Sequence, residues 1–192
     1  VTRPTAIVDG PLTIRPLKLS DESVWLKLRS DNRAWLEPWE ANNPPQVQQR
    51  LVSFAGMVRR ERRQWRARSA FPFVIQYADA LVGRVSVSGL QWGAECGGSI
   101  GYWIAQSFAG QGIVPRAVAL AADFSFQQGV HRLEIAVRPE NAASLAVPAK
   151  LGFREEGLRE RYLFIDHDWR DHRVFALTAD DPRQGPLWPS VR

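Results

Sequence analysis

Cysteine occurs once in 192 residues, at Cys96. That excludes an intramolecular disulfide framework and a cysteine-rich zinc site. Cys96 also sits in a Gly-rich turn with no histidine near it in sequence, which argues against a nucleophilic role. Histidine occurs three times. His167 and His172 lack the i, i+4 spacing of a helical zinc pair, so no metal is predicted. No run approaches the roughly 18 consecutive apolar residues of a membrane-spanning helix, so no membrane partner is predicted. The opening Val1-Thr2-Arg3-Pro4-Thr5 leads to a polar turn, Asp9-Gly10-Pro11, and not to an apolar run of signal-peptide length. The predicted location is the cytoplasm. There is no internal repeat and no low-complexity segment. Lysine is scarce too, at Lys18, Lys27 and Lys150 alone.

Apolar residues make up 45% of the chain and charged residues 23%, the balance of an ordinary globular protein. The length suits one domain over residues 1–192. The net charge is +5 and is carried almost wholly by arginine. A GC-rich coding bias explains that, and so does an anionic partner, because guanidinium groups grip phosphate and carboxylate bidentately. Net charge alone does not choose between them.

Leu12-Thr13-Ile14-Arg15-Pro16-Leu17 alternates as a half-buried strand does. Ser20-Asp21 supplies an N-cap for a helix carrying Val24, Trp25 and Leu28. Residues 33–45 hold Trp35, Trp39 and three prolines and read as a broken helix or an aromatic loop. Gln46 to Arg68 reads as a long helix, with Val47, Leu51, Phe54 or Ala55, and Val58 on one face. Phe71–Ile75 and Leu81–Val87 form a predicted hairpin. A strand over Ser99–Ala105 follows the Gly97-Gly98 turn. A helix over Ile113–Gln128 carries Val114, Ala117, Val118, Ala121 and Phe124 as its apolar stripe. A strand at Arg132–Val137, a short helix at Ala142–Leu151, and strands at Tyr162–Ile165 and Trp169–Leu177 complete the pattern. The tail from 180 to 192 reads as irregular. The class is α+β, a mixed sheet with helices packed on it.

Most informative is the junction Ile104-Ala105-Gln106-Ser107-Phe108-Ala109-Gly110-Gln111-Gly112-Ile113-Val114-Pro115-Arg116. A strand ends, glycines turn the chain, and a helix starts. Pro115 fixes that start, since proline lacks an N–H and fits the first helical turn. The N–H groups of Ala109 to Val114 then lack intrahelical partners and converge near a positive dipole end, an anion cradle for a phosphate or pyrophosphate. No Gly-Lys-Ser/Thr follows, so this is not a P-loop. The third glycine of a dinucleotide fingerprint is missing, with Arg116 near its place.

The order and intervals of Ile100-Gly101-Tyr102-Trp103-Ile104-Ala105, Gly110-Gln111-Gly112, Asn141-Ala142-Ala143-Ser144 and Lys150-Leu151-Gly152-Phe153 resemble the acetyl-CoA-binding core of the GCN5-related N-acetyltransferases (GNAT). Leu12-Thr13-Ile14-Arg15-Pro16, Trp35-Leu36-Glu37-Pro38-Trp39 and the stretch from Tyr162 to His172 resemble the RimJ/RimL branch, which acetylates protein N-termini, notably of ribosomal proteins. The resemblance spans residues 11–178. It implies a twisted, mostly antiparallel sheet of six to seven strands, about four flanking helices and splayed central strands that bind acetyl-CoA. It also implies that the amides of Ala109, Gly110, Gln111, Gly112, Ile113 and Val114 hold the pyrophosphate of the CoA moiety. Ile104 and Ala105 would pair with the pantetheine arm, an amide there would polarise the thioester carbonyl, and Asn141 would anchor the arm. The family often carries Arg or Gln at Ser107 and a basic or bulky residue at Ala109, and usually a small one at Val114, so side-chain contacts to CoA are fewer here.

By the same resemblance Ser144 is the proton donor to the leaving sulfur. The tyrosine that many relatives place in this helix is replaced by Pro148, which deletes the hydrogen bond to the Ser144 carbonyl. A kinked helix that turns Ser144 toward the thioester is expected. Two carboxylates compete as base. Glu134 lies on the polar face of a central strand and is either functional or ion-paired. Glu160 precedes Tyr162, near an acidic position of relatives, and is either functional or a solvated charge. Trp35, Trp39, Tyr162 and Trp169 could line the acceptor groove or pack in the core.

Arg59, Arg60, Arg62, Arg63, Arg66 and Arg68 crowd one helix end. They form either a solvated face or a contact for ribosomal RNA or an acidic protein. Three functions stay open: an N-terminal acetyltransferase acting on a ribosomal protein with N-terminal alanine, an acetyltransferase of small-molecule amines, and a non-catalytic CoA- or nucleic-acid-binding domain. Monomer and homodimer are both compatible with the sequence.

Overall fold

A computed structural model describes residues 6–47, 52–182 and 185–188. Its frame is an eight-stranded sheet: β1 (Ile7–Asp9), β2 (Leu12–Arg15), β3 (Phe71–Tyr77), β4 (Ala80–Gln91), β5 (Gly97–Ile104), β6 (Arg132–Val137), β7 (Arg154–Ile165) and β8 (Asp168–Thr178). The spatial order is β1-β2-β3-β4-β5-β6-β8-β7. Only β5 and β6 run parallel; every other neighbouring pair is antiparallel. Five helices accompany it: α1 (Glu22–Asp31), α2 (Arg33–Leu36), α3 (Phe54–Ala67), α4 (Ile113–Gln127) and α5 (Ala142–Lys150).

Alternation along the strands sends side chains to two faces. Phe71, Phe73 and Ile75 join a large core with Val82, Val85 and Val87, covered by Ala117, Val118, Ala121 and Ala122 of α4. Trp65 of α3 packs edge-on against Phe73 and Phe124 at its margin. Val74 points to the opposite face. There Leu17, Trp25, Phe54, Val58 and Leu81 form a second cluster, which seats α1 and the first half of α3.

Eight strands exceed the six to seven expected. The extra one, β1, is three residues long and turns through Gly10 (φ +58°) onto β2, too short for alternation to reveal. The added helix, α2, is four residues inside the segment read as a broken helix. The long helix expected from Gln46 begins instead at Phe54, where the Ser53 side chain accepts the Gly56 N–H. Val47 lies in a turn and is exposed; Leu51 falls outside the described residues. On α1, Trp25 and Leu28 face the core whereas Val24 is exposed. Strand β7 starts eight residues earlier than expected. Its first two thirds, Arg154-Glu155-Glu156-Gly157-Leu158-Arg159-Glu160-Arg161, are exposed throughout, so they have no apolar period to read. It is an edge strand, and it carries charge as edges do.

Candidate active site

Strands β5 and β6 pair only at Gly97↔Arg132, Gly98↔Leu133 and Ser99↔Glu134. Beyond Ser99 they part, while β5 stays on β4 as far as Gly83↔Ile104. A wedge therefore opens in the middle of the sheet. The phase of the ladder is set by the Ala105 N–H, which donates to Val82 O at 2.8 Å. Backbone groups alternate sides along a strand, so Trp103 and Ala105 bond β4 while Tyr102 and Ile104 turn their amides into the wedge. Two groups from the α1–α2 junction fasten the strand end. The Trp35 indole N–H donates to Ile104 O at 3.1 Å, and Asn32 Oδ1 accepts the Gln106 N–H at 2.8 Å. The Ile104 N–H stays free to face a ligand.

The chain then makes a short 3-10 turn, and Phe108 and Ala109 donate their N–H groups to Ala105 O and Gln106 O. The Ala109 amide is thus engaged, which corrects the expected cradle by one residue. The N–H groups of Gly110, Gln111, Gly112, Ile113 and Val114 have no partner among the described residues. Gly110 (φ +75°) and Gly112 (φ +73°) adopt left-handed backbone at the mouth of α4, with nothing within 4 Å of where a Cβ would stand. Conformation, not crowding, requires glycine here. Arg116 does not supply charge to this cradle. Its Nη2 donates to Asp9 Oδ2 at 2.6 Å and Asp9 O at 2.9 Å, in a nearly buried pair that ties β1 to α4.

Across the wedge stands α5. Asn141 Oδ1 caps it by accepting the Ser144 N–H at 3.0 Å. The helix is continuous through Pro148, and the Ser144 carbonyl accepts instead from the Tyr102 hydroxyl at 3.0 Å. The Ser144 hydroxyl also lies within hydrogen-bonding reach of the Tyr102 phenol. One cavity of about 550 Å³ joins these parts and is lined by Trp35, Trp39, Ile104, Gly110, Gly112, Asn141 and Ser144, among others. That is the size of a cofactor-binding cleft.

The two carboxylates weighed as base do not line this cavity. Glu134 stands opposite Ser99, where the strands still pair, roughly 16 Å along the strand from Ile104. Its oxygens accept from Arg132 Nη2 at 2.9 Å and Arg159 Nη2 at 2.8 Å, so its place is in an ion-pair network with Glu156 on the β7 edge. Glu160 is exposed on β7 within an irregular stretch of register. Among the described residues the one carboxylate that lines the cavity is Glu140. A hydrogen bond from its own backbone, with the Arg138 and Arg170 guanidinium groups beside it, holds its carboxyl below the usual range against the opposing effect of burial. That makes it a weak base.

The predicted acceptor aromatics divide. Trp35 and Trp39 line the cavity, and Trp39 lies 5.3 Å beneath the Arg138 guanidinium. Tyr162 stacks edge-on against His172 at 5.7 Å, and Trp169 is exposed near the tip of the β7–β8 hairpin, against Phe164. That hairpin still meets the Trp39 segment, through the Ala41↔Ile165 bridge and the Asn42 N–H on Phe164 O. His172 is buried, with Nδ1 donating to Arg170 O at 2.9 Å. Burial pulls its pKa below the ordinary histidine value, which keeps the ring neutral. Sequence reasoning missed Asn32, Tyr102 and Arg138. Asking which donor fills the carbonyl vacated by Pro148 was the one available lead to Tyr102.

Residues 11–154 match the family model described as an acetyltransferase (GNAT) domain. The chain is 31% identical over 178 residues, 89% of its length and 96% of the relative's, to a probable N-acetyltransferase, YjcK, of Bacillus subtilis. It is 33% identical over 161 residues, 79% of each chain, to the ribosomal protein uS5-alanine N-acetyltransferase of Escherichia coli. The structure of Mycobacterium smegmatis RimJ in complex with CoA-disulfide superposes with a TM-score of 0.85 at 34% identity, covering 96% of this chain and 90% of that one.

Proposed function

The chain belongs to the GNAT acetyltransferase family, and from that premise we propose that it acetylates the N-terminal α-amino group of a protein, a ribosomal protein beginning with alanine. The coarser activity, acetyl-CoA-dependent N-acetylation by a relative of RimJ, is the family's own. The acceptor assignment rests on the cavity's chemistry. Its one carboxylate among the described residues, Glu140, is held ionised by its own backbone and by Arg138. A lysine amine near pKa 10.4 needs a strong base, whereas an α-amino group near 7.7–8.0 is partly neutral in neutral solution. A site with so weak a base suits the α-amino group. The E. coli relative is a ribosomal protein uS5-alanine N-acetyltransferase.

Bound acetyl-CoA supplies an acyl group activated as a thioester. The five free amides from Gly110 to Val114 suit its diphosphate. With acetyl-CoA bound, the Ile104 N–H would serve as a preorganised donor to the thioester carbonyl oxygen, a contribution of the kind that weighs most in such reactions. As the carbon–sulfur bond breaks, the Ser144 hydroxyl gives its proton to sulfur and regains one from the acetylated nitrogen through solvent. The substrate polypeptide would enter between Trp35, Trp39 and the β7–β8 hairpin. We also assign a ribosomal RNA contact to Arg59, Arg60, Arg62 and Arg63. All four are exposed on α3 and have no carboxylate partner among the described residues. Four phosphate contacts predict an RNA affinity that falls about fiftyfold between 50 and 200 mM salt, with the slope lost when the four are changed to glutamine. A salt-independent affinity removes this contact.

The deciding experiment is mass spectrometry of ribosomal-protein N-termini from cells with and without the protein. The expected result is one alanine N-terminus that loses its acetyl group. Unchanged N-termini, with transfer in vitro to a small amine but not to an alanine-led peptide, would overturn the acceptor assignment.

A further inference from the structure

Proline inside a helix leaves a carbonyl without its partner four residues back. In α5 that carbonyl belongs to Ser144, the residue read above as proton donor, and the inference here rests on that reading. The vacancy is filled from another element. Tyr102 projects from β5 across the wedge, and its hydroxyl donates to Ser144 O at 3.0 Å. The Ser144 N–H is held by Asn141 Oδ1 at 3.0 Å. Both polar groups of the Ser144 backbone are therefore bonded to side chains, and its hydroxyl, on the cavity wall, also meets the Tyr102 phenol.

We infer that Tyr102 is the positioning residue of this active site: its hydroxyl replaces the helix bond deleted by Pro148 and fixes Ser144 on the wall of the cavity. Tyr102 is not itself the acid. Its proton is committed to a carbonyl, and burial pushes the phenol well above its ordinary range, which makes it a standing donor and a poor source of protons. The tyrosine that many relatives carry in the helix is thus not restored in function by Tyr102. The strand-borne phenol secures the helix, and Ser144 keeps the chemistry. The contact also couples the cofactor strand to α5, since Tyr102 and Ser144 line the same cavity.

A double-mutant cycle tests the inference. Tyr102→Phe removes the donor. Pro148→Ala restores a backbone N–H that reaches Ser144 O, so Tyr102 becomes dispensable. Tyr102→Phe alone should lower Tm by about 3–8 °C, the cost of a poorly satisfied carbonyl in a domain of this size. In the Pro148→Ala background the same change should lower it by less than about 1 °C. With an alanine-led decapeptide, Tyr102→Phe should lower kcat about tenfold with KM for acetyl-CoA within twofold. The Tyr102→Phe/Pro148→Ala protein should recover to within threefold of Pro148→Ala. Equal losses in both backgrounds, in Tm and in kcat, mean that Tyr102 merely packs and overturn the inference. A coupled Tm with uncoupled kcat overturns its catalytic half. If no variant transfers acetyl to the peptide while calorimetry shows acetyl-CoA binding, the acceptor assignment falls, and the Tm cycle still decides whether Tyr102 holds Ser144.

Discussion

Replacing Gly112 by alanine isolates the backbone's part in cofactor binding. Gly112 is the N-cap of α4 at φ +73°, and no atom lies within 4 Å of an added Cβ. The methyl meets no neighbour, so the whole cost is conformational, about 1–2 kcal/mol for an L-residue held in the left-handed region. That cost can surface in two places. If the free protein keeps the turn, folding stability falls and affinity for acetyl-CoA is unchanged; Tm drops by about 2–8 °C. If the loop relaxes, the Gly112 and Ile113 amides leave the cradle, stability is spared, and the ligand must restore the strained turn. Affinity then weakens by about five- to thirtyfold. The bound form is destabilised by the same 1–2 kcal/mol either way, because both routes end in the same strained complex. Urea denaturation with and without saturating CoA, together with calorimetry, measures all three quantities. A variant with unaltered Tm and Kd refutes the reading of the loop as a backbone cradle. So does a loss of affinity beyond about a hundredfold, which the strain is too small to supply.

Ser144→Ala should reduce turnover at least tenfold with acetyl-CoA affinity nearly unchanged, since the hydroxyl meets sulfur only as the thioester breaks; a rate like the wild type's removes Ser144 from the chemistry. For His172, burial lowers the folded-state pKa, so between that value and the unfolded one near 6.5 the unfolded chain binds more protons, and stability falls as pH drops from 7.5 through 6.5. His172→Gln should flatten the dependence of Tm on pH between 7.5 and 5.5, and an undiminished slope would assign that loss to other groups. Asp9→Ala deletes the carboxylate contacts of Arg116 but leaves the Asp9 carbonyl bond. The stranded guanidinium should cost about 3 kcal/mol, and Asp9→Ala/Arg116→Met should recover most of it. Denaturation midpoints of the three proteins check this, and a loss below about 1 kcal/mol would make the pair dispensable.

What the sequence made legible follows from what each element buries. Strands β3 and β4 and helix α4 each keep one face in the core, so Phe71, Phe73 and Ile75, and Ala117, Val118 and Ala121, write their period into the chain. Where burial is absent the period vanishes. The first half of β7 is held on β8 by backbone ladder bonds and by pairs such as Glu155–Arg173. Alternating charges on an exposed strand look no different from a charged loop. The start of α3 was misplaced for a related reason. Val47 stands at a helical spacing ahead of the true N-cap, yet it is exposed. The spacing was coincidental, and Ser53, with the local cap chemistry of a hydroxyl on Gly56 N–H, marks the boundary.

The site divides along the same line. Its backbone portion was legible because glycine at positive φ and proline in a first turn announce themselves residue by residue. The amide inventory shifted by one, since Ala109 spends its N–H in a 3-10 turn, which no composition rule reveals. Side-chain roles depended on distant neighbours. Glu134 has the strand position of a functional carboxylate, yet Arg159, 25 residues away, captures one of its oxygens. Pro148 shows the limit of local reasoning most clearly. From the sequence it declares that the Ser144 carbonyl has lost its partner, and it suggests that the helix kinks in response. The structure brings a phenol 42 residues upstream to that carbonyl at 3.0 Å, in a helix that runs on through Pro148. A local chain rule can state which bond is missing. Only the topology that lays β5 beside α5 determines what fills it, and in this protein that topology is also what opens the wedge for the thioester.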